Sequence, residues 1–265
     1  VSQIPEAEMT DLVRTTLEAG VLTMTLNRAE KKNALNKAMY GALVQGMVRA
    51  EEEAGIRAVL FQAEGDMFTS GNDIADFTEV AMGKVQPENV AASPFLQCLA
   101  SSTKPYVAAV QGNAVGVGTT MLLHCDMVVA AEDAKLTVPF VNLALVPEAA
   151  STMLLPMRIG YARAYKMFAL GDPVTGKEAA EIGIATEAAP ASQVRARALD
   201  YAKKLATRPA GALKLTKQLM RDPETIKAVM LREGEAFKAR LRSPEALEAF
   251  RAFAERRPPD FTKVA

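Results

Sequence analysis

Two glycine-centred segments, about forty residues apart, constrain this 265-residue chain more than any other feature. The first is Phe68-Thr69-Ser70-Gly71-Asn72-Asp73-Ile74 and the second is Gly112-Asn113-Ala114-Val115-Gly116-Val117-Gly118-Thr119-Thr120. Each follows an apolar, strand-like run, at 57–62 and at 106–110. Glycine lets a chain turn sharply and lets another group come close, where a side chain would block both. Two such loops facing one another would aim two peptide N–H groups at one point, which is how a protein holds a developing negative oxygen. Taken alone, either segment reads equally well as a strand-to-helix turn with no ligand. Two phosphate-binding patterns are excluded. A dinucleotide fingerprint needs a third glycine where Met121 stands, and no Gly-Lys-Ser/Thr follows to make a phosphate loop.

The other residues supply a core and little else that is chemically distinctive. Apolar residues make up 49% of the chain, enough to bury a sizeable interior. The 31 Lys and Arg balance the 31 Asp and Glu, so neither nucleic acid nor an anionic membrane is an expected partner. Cys98 and Cys125 sit among apolar neighbours, a poor disulfide framework that suits a reducing compartment. With one histidine, His124, and two scattered cysteines, no metal is expected. No run is long and apolar enough to span a bilayer, and the amino end lacks a basic start followed by an apolar stretch. A cytoplasmic protein is therefore expected.

Local patterning predicts an α/β fold. A β-hairpin is expected at 15–18 and 21–27, around Ala19-Gly20. Leu35, Met39, Leu43 and Met47 recur at four-residue steps and predict a helix over 33–53. Residues 78–92, with Gly83 and Pro87, read as a mobile loop. Ser93 as cap and Pro94 at the first position open a helix. Strands are expected at 57–62, 106–110 and 127–131, and a helix at 119–124. After about residue 176 the chain reads as helices at 191–207, 210–220, 224–241 and 244–256, punctuated by Pro209, Pro223 and Pro244. This predicts a core at 1–200 and a helical region at 201–265. Amphipathic helices beyond a core pack on a neighbouring subunit or cap the monomer.

In order along the chain, these segments resemble the enoyl-CoA hydratase/isomerase, or crotonase, superfamily. Asn27-Arg28-Ala29-Glu30-Lys31-Lys32-Asn33-Ala34-Leu35 resembles its N-R-P-x-x-x-N-A-L segment, with Ala29 in place of proline. Phe68 to Ile74 resembles F-x-x-G-x-D-[LI]. Gly112 to Asp126 resembles G-x-A-x-G-G-G-x-x-[LM]-x-x-x-C-D, and Arg208-Pro209 through Lys217 resembles R-P-x-x-A-L-x-x-x-K. The resemblance implies a crotonase-like spiral of ββα units, a C-terminal helical trimerisation region, and a homotrimer or hexamer. It implies an acyl-CoA thioester substrate, with no cofactor beyond the coenzyme A of the substrate. It also implies an oxyanion hole from the N–H groups of Asn72 and Val117, with Ser70, Gly71, Asp73, Ile74 and Gly116 around the substrate. Val117 replaces the middle glycine of the triplet, and any residue except proline keeps the N–H donor.

The reaction turns on carboxylates. The two glutamates of the hydratases in this superfamily fall at Thr120 and Phe140, neither of which can move a proton near neutral pH. One acid remains nearby, in Leu145-Val146-Pro147-Glu148-Ala149-Ala150-Ser151-Thr152. By spacing alone, Pro147-Glu148 reads equally as the start of a helix. The segment also resembles the P-E-G-x-[ST]-[ST] stretch of the Δ3,Δ2-enoyl-CoA isomerases, whose single catalytic base is the glutamate matched by Glu148. The expected activity is therefore a double-bond shift with Glu148 as base. The alternatives are an enoyl-CoA hydratase acting on 2-trans-enoyl-CoA and a non-catalytic acyl-CoA binder. His124 is expected to be a packed structural residue, and Asp73 and Asp126 to cap turns or helices.

Overall fold

The computed structural model describes residues 11–73 and 92–264. Strands β1 (Val13–Glu18) and β2 (Val21–Leu26) pair antiparallel. Ala19 and Gly20, with φ of 49° and 76°, turn between them, and two successive left-handed residues match the twist of a tight hairpin. From β2 onward the first sheet is parallel. It continues through β3 (Ala58–Ala63), β5 (Tyr106–Val110), β7 (Met127–Ala131) and β10 (Glu187–Ala189). A second sheet gathers β4 (Met67–Thr69), β6 (Asn113–Val115), β8 (Lys135–Thr137) and β9 (Val174–Thr175), with β4, β6 and β8 parallel.

The chain feeds the two sheets alternately. β3 leads to β4, β5 to β6 and β7 to β8, so each passage leaves one strand in each sheet. Helices carry it back: α1 (Lys37–Glu52), α2 (Ala92–Ser101), and the short α3 (Val117–Thr120), which continues as a 3₁₀ turn over Met121–His124. This is the spiral of ββα units. All five residues of β5 are fully buried, as expected of a parallel strand covered on both faces. Helix α7 (Ala191–Ala206) runs across position 200 and packs on β3, β5 and β7. Its buried Val194, Ala198, Ala202 and Ala206 recur every four residues, and the small side chains let the helix lie close to the sheet. Beyond it come α8 (Ala210–Met220), α9 (Pro223–Leu241) and α10 (Pro244–Ala254). The last two begin with proline at the first turn, after caps from Asp222 and Ser243.

Several expectations need correction. Helix α1 starts at Lys37, capped by the Asn36 side chain, and not at residue 33. Residues 33–35 are instead used to brace the first glycine segment. Helix α2 already includes Ala92, so Ser93 and Pro94 lie in its first turn and not at a cap. The helix expected over 119–124 begins two residues earlier and tightens to 3₁₀. Residues 147–148 do not open a helix; α4 (Ser151–Ile159) starts three residues later. Unforeseen were α4, α5 (Tyr161–Leu170), α6 (Gly176–Ile182), β10 and the whole second sheet. Strands of two or three residues are too short to show a period of two. Ile74 and residues 78–91 of the expected loop lie outside the described residues.

Candidate active site

Pairing in the second sheet brings the two glycine segments together. β4 lies parallel to β6, with Met67 opposite Asn113 and Thr69 opposite Ala114. β6 lies parallel to β8, with Val115 opposite Thr137. The chain therefore leaves all three strands at the same end, where parallel sheets place their ligands. There, Ser70, Gly71, Asn72 and Asp73 meet Gly116 and Val117, and Pro139 and Phe140 follow from β8. Together with Leu143, Leu145 and Phe253 they line a cavity of about 530 Å³. The glycines are sterically required. Gly71 has φ of 88°, and a Cβ there would lie 2.6 Å from the Val115 carbonyl oxygen. A Cβ at Gly118 would lie 2.4 Å from Cγ2 of Thr69, so this glycine lets the two segments touch.

The segment at 27–35 braces the first loop. The Asn33 amide donates to the carbonyls of Glu64 (2.8 Å) and Met67 (2.9 Å), and its oxygen accepts from the Arg28 N–H (2.8 Å). The Thr69 hydroxyl donates to the Asn33 carbonyl (2.7 Å). Ser70 N–H donates to Lys32 O, Leu35 N–H to Gly71 O and Asp73 N–H to Leu35 O. Arg28 Nη1 donates to Asp73 Oδ2 at 2.9 Å, so Asp73 is half of an ion pair. The Tyr40 hydroxyl holds the Asn72 side-chain oxygen. Gripped on both sides, the loop leaves the Asn72 N–H without an acceptor among the described residues. The Val117 N–H, at the first position of α3, is likewise without one, as helix geometry dictates for the first turn.

Glu148 is linked to this site by a hydrogen bond from α3. It is 8% exposed and does not itself line the cavity. Thr120, one turn past Val117, donates its hydroxyl to Glu148 Oε1 at 2.8 Å, while Oε2 accepts from no described residue. Burial pushes the Glu148 carboxyl up to about 7. The Thr120 bond opposes this shift and the charge of Glu233 adds to it. Ala149 and Ala150 follow in left-handed backbone, with φ of 64° and 54°. Behind them, Arg221 donates to His124 Nδ1, which leaves the histidine Nε2 as the donor to the Ala149 carbonyl at 2.7 Å. His124 is fully buried and neutral, its pKa lowered to about 3 by burial and then by the Arg221 charge. Asp126 accepts from the Tyr106 N–H (2.7 Å) and pairs with Lys217 Nζ (2.8 Å), which ties α8 to the core.

The chain matches the family described as Enoyl-CoA hydratase/isomerase over residues 16–264. It belongs to that family. Among curated relatives, it is 33% identical over 248 residues to "Enoyl-CoA delta isomerase 2" of Rattus norvegicus, covering 92% of this chain and 63% of the rat protein's length. It is 32% identical to "1,2-epoxyphenylacetyl-CoA isomerase" of Escherichia coli K12, over 96% and 99% of the two chains. It is 32% identical to a "Probable enoyl-CoA hydratase" of Bacillus subtilis 168, over 86% and 90%. Among solved structures, an enoyl-CoA hydratase/isomerase from Pseudoalteromonas atlantica T6c superposes with a TM-score of 0.89 at 39% identity, covering 95% of this chain and all of that one. Pseudomonas aeruginosa OdaA gives 0.87 at 40% identity, covering 92% and 99%.

Within this crotonase fold, the structure brings together Ser70, Gly71, Asn72, Asp73, Gly116 and Val117 at one cavity and sets Glu148 behind it. Four contributors were not foreseen from the chain. Arg28 and Asn33 were visible only as matched letters, whereas their function is to brace the loop. Thr120, which stands where a hydratase has an acid, is a donor to Glu148. Glu233 approaches from 83 residues beyond Ala150, and no local signal marks it. No group of three or more His, Cys, Asp or Glu able to hold a metal occurs among the described residues. No helix among them is long and apolar enough to cross a membrane.

Proposed function

We propose that this crotonase is a Δ3,Δ2-enoyl-CoA isomerase that uses Glu148 as its single base. One observation carries the reading: the proton affinity of Glu148 is raised to about 7, and the residue is tethered through Thr120 to the helix that begins at Val117. A base with its pKa near the working pH is half ionised and still strong enough to take a carbon-bound proton. The thioester carbonyl of a 3-enoyl-CoA sits between the N–H groups of Asn72 and Val117. The free Oε2 of Glu148 takes a proton from C2, and the electron pair moves through the conjugated system onto the carbonyl oxygen. The resulting dienolate is held by the two N–H groups, where the loss of one such donor typically costs about 3 kcal/mol of transition-state stabilisation. The same carboxyl returns the proton to C4 and leaves the 2-trans-enoyl-CoA. No water is consumed. Phe140 makes the cavity wall apolar where a hydratase would place its second acid, which disfavours a positioned water.

The same reading includes a trimer, alone or paired into a hexamer. It is supported by exposed apolar residues on α8 and α9, namely Leu215, Leu219, Met220 and Leu231. Free Cys98 and Cys125 accord with a cytoplasmic setting.

The test is a paired assay of wild type and Glu148→Gln on 3-enoyl-CoA and, separately, on 2-trans-enoyl-CoA, with products resolved by chromatography and mass. Double-bond migration lost in the variant is the expected result. A hydrated product from the wild type would instead make the protein a hydratase. Turnover of neither substrate, with binding retained, would leave an acyl-CoA binder.

A further inference from the structure

The stretch that carries Glu148 has no sheet ladder to hold it. It runs from Ala144 to the start of α4 and contains three alanines in left-handed backbone: Ala144, Ala149 and Ala150. That conformation is unfavourable for any residue with a Cβ and persists only where neighbours over-determine it. The neighbour here is α9. From the middle of that helix, Glu233 Oε2 accepts from the Ala150 N–H at 2.6 Å. Its Oε1 accepts from the Thr152 N–H at 2.9 Å and from the Thr152 hydroxyl at 2.5 Å. Two turns further along α9, on the same face, Arg240 Nε donates to the Ala144 carbonyl at 3.0 Å. One helix thus grips both ends of the strained stretch.

Glu233 is costly for so simple a task. It is 7% exposed, and among the described residues no cation lies within ion-pair distance of it. A serine or asparagine would cap α4 without burying a charge. We propose that Glu233 is the positioning residue of the catalytic base: by fixing the turn through Ala149 and Ala150, it holds Glu148 against Thr120 and aims its free oxygen at the cavity. This rests on Glu148 being the base. Burial raises the Glu233 carboxyl, the three donors from Thr152 and Ala150 oppose that rise, and only one donor does the same for Glu148. The Glu233 charge faces Glu148 from α9, Thr120 faces it from α3, and neutral His124 with Arg221 stands behind Ala149.

The test uses the full-length protein and two readouts. One is kcat and KM on 3-enoyl-CoA across pH. The other is a pH titration of ¹³C-labelled glutamate carboxyls, with the Glu148 signal assigned by its loss in Glu148→Gln. In Glu233→Gln the amide oxygen can accept from only one of the two backbone N–H groups, its NH2 cannot accept from the other, and the charge is gone. The expected result is a kcat loss of roughly tenfold or more at nearly constant KM, as small misplacements of catalytic groups produce. The Glu148 midpoint moves down from about 7 by a minor part of its shift, because burial, the larger cause, remains. Glu233→Asp keeps the charge on a shorter arm, so it restores the midpoint without restoring kcat. Thr152→Val removes one donor and gives a smaller loss in the same direction. Wild-type kcat and an unmoved Glu148 midpoint in folded Glu233→Gln would overturn the proposal. If that variant does not fold, the same null result in Thr152→Val does so. The two readings fail differently. Should Glu148 not be the base, Glu148→Gln stays active while Glu233→Gln still moves the Glu148 midpoint. Should only the positioning proposal fail, Glu148→Gln is inactive and Glu233→Gln is not.

Discussion

The two halves of this site are built from different materials. The half that the proposed mechanism sets against the thioester oxygen is backbone. The Asn72 and Val117 N–H groups are placed by parallel strand register and by glycines that allow close approach. The half proposed to move the proton is side chain. Glu148 lies in a strained turn, held by Thr120 from one side and by α9 from the other. Backbone donors tolerate a change of side chain, which is how Val117 can stand in place of a glycine. A carboxylate placed by burial and hydrogen bonds has no such tolerance, because every neighbour contributes to its proton affinity.

The sharpest break in this comparison is expected at the base. Glu148→Gln keeps size and loses the proton acceptor, so kcat for isomerisation falls by about 10²–10⁴ with little change in KM. Steady-state kinetics on 3-enoyl-CoA measure this, and retention of a tenth of wild-type kcat would place the proton elsewhere. Next comes the backbone half. Gly71→Ala puts a Cβ 2.6 Å from the Val115 oxygen at a φ of 88°. Displacing the Asn72 N–H should lower kcat by on the order of 10². Urea unfolding should show lost stability as well, and normal kcat in the variant would mean that the Asn72 N–H is not a donor to the reacting oxygen.

The third effect appears in stability. Glu148 has a folded pKa near 7, above its reference value of 4.5. The protonated form is therefore the one the fold prefers. Its stability contribution is complete below pH 4.5 and is lost as pH rises through about 7. At pH 8, Glu148→Gln should be more stable than wild type by up to about 3 kcal/mol, and near pH 4 the gain should vanish. Chemical unfolding at the two pH values decides it; an equal gain at both would show that burial of the charge is not the cause. His124 works in the opposite sense, because its folded pKa is lowered to about 3. The neutral ring supports the fold above pH 6.5, and that support is lost as pH falls toward 3. The smallest catalytic effect is expected for Val117→Gly. It leaves the N–H in place, so kcat should change by less than about tenfold, while loss of the buried side chain lowers stability by roughly 1–3 kcal/mol. A rate loss as large as that of Gly71→Ala would mean that the valine side chain, and not only its backbone, shapes the site.

The backbone half was the legible one. Gly71, Gly116 and Gly118 stand out in the chain because few residues can take their place, and the strands before them show as short apolar runs. The brace from Arg28 and Asn33 was present only as matched letters. Its hydrogen bonds span more than thirty residues in sequence, from Asn33 to Glu64 and Met67, and leave no local period. The second sheet, which does the joining, was invisible because its strands are three residues long or shorter. Of the proton-moving half, Glu148 could be picked out only by resemblance. Spacing alone suggested a helix start, and the structure shows a turn three residues before α4.

The chain by itself determined an α/β core, the glycine positions, the long C-terminal helices and the absence of acids at 120 and 140. These depend on backbone sterics and short-range periodicity, which adjacent residues express. Tertiary structure alone decided that Asn72 and Val117 share a cavity, that Thr120 donates to Glu148, and that Glu233 holds the turn beside it. It also set the proton affinity of Glu148. Desolvation and buried hydrogen bonds are properties of what surrounds a group in space, and here those surroundings come from segments that are remote along the chain.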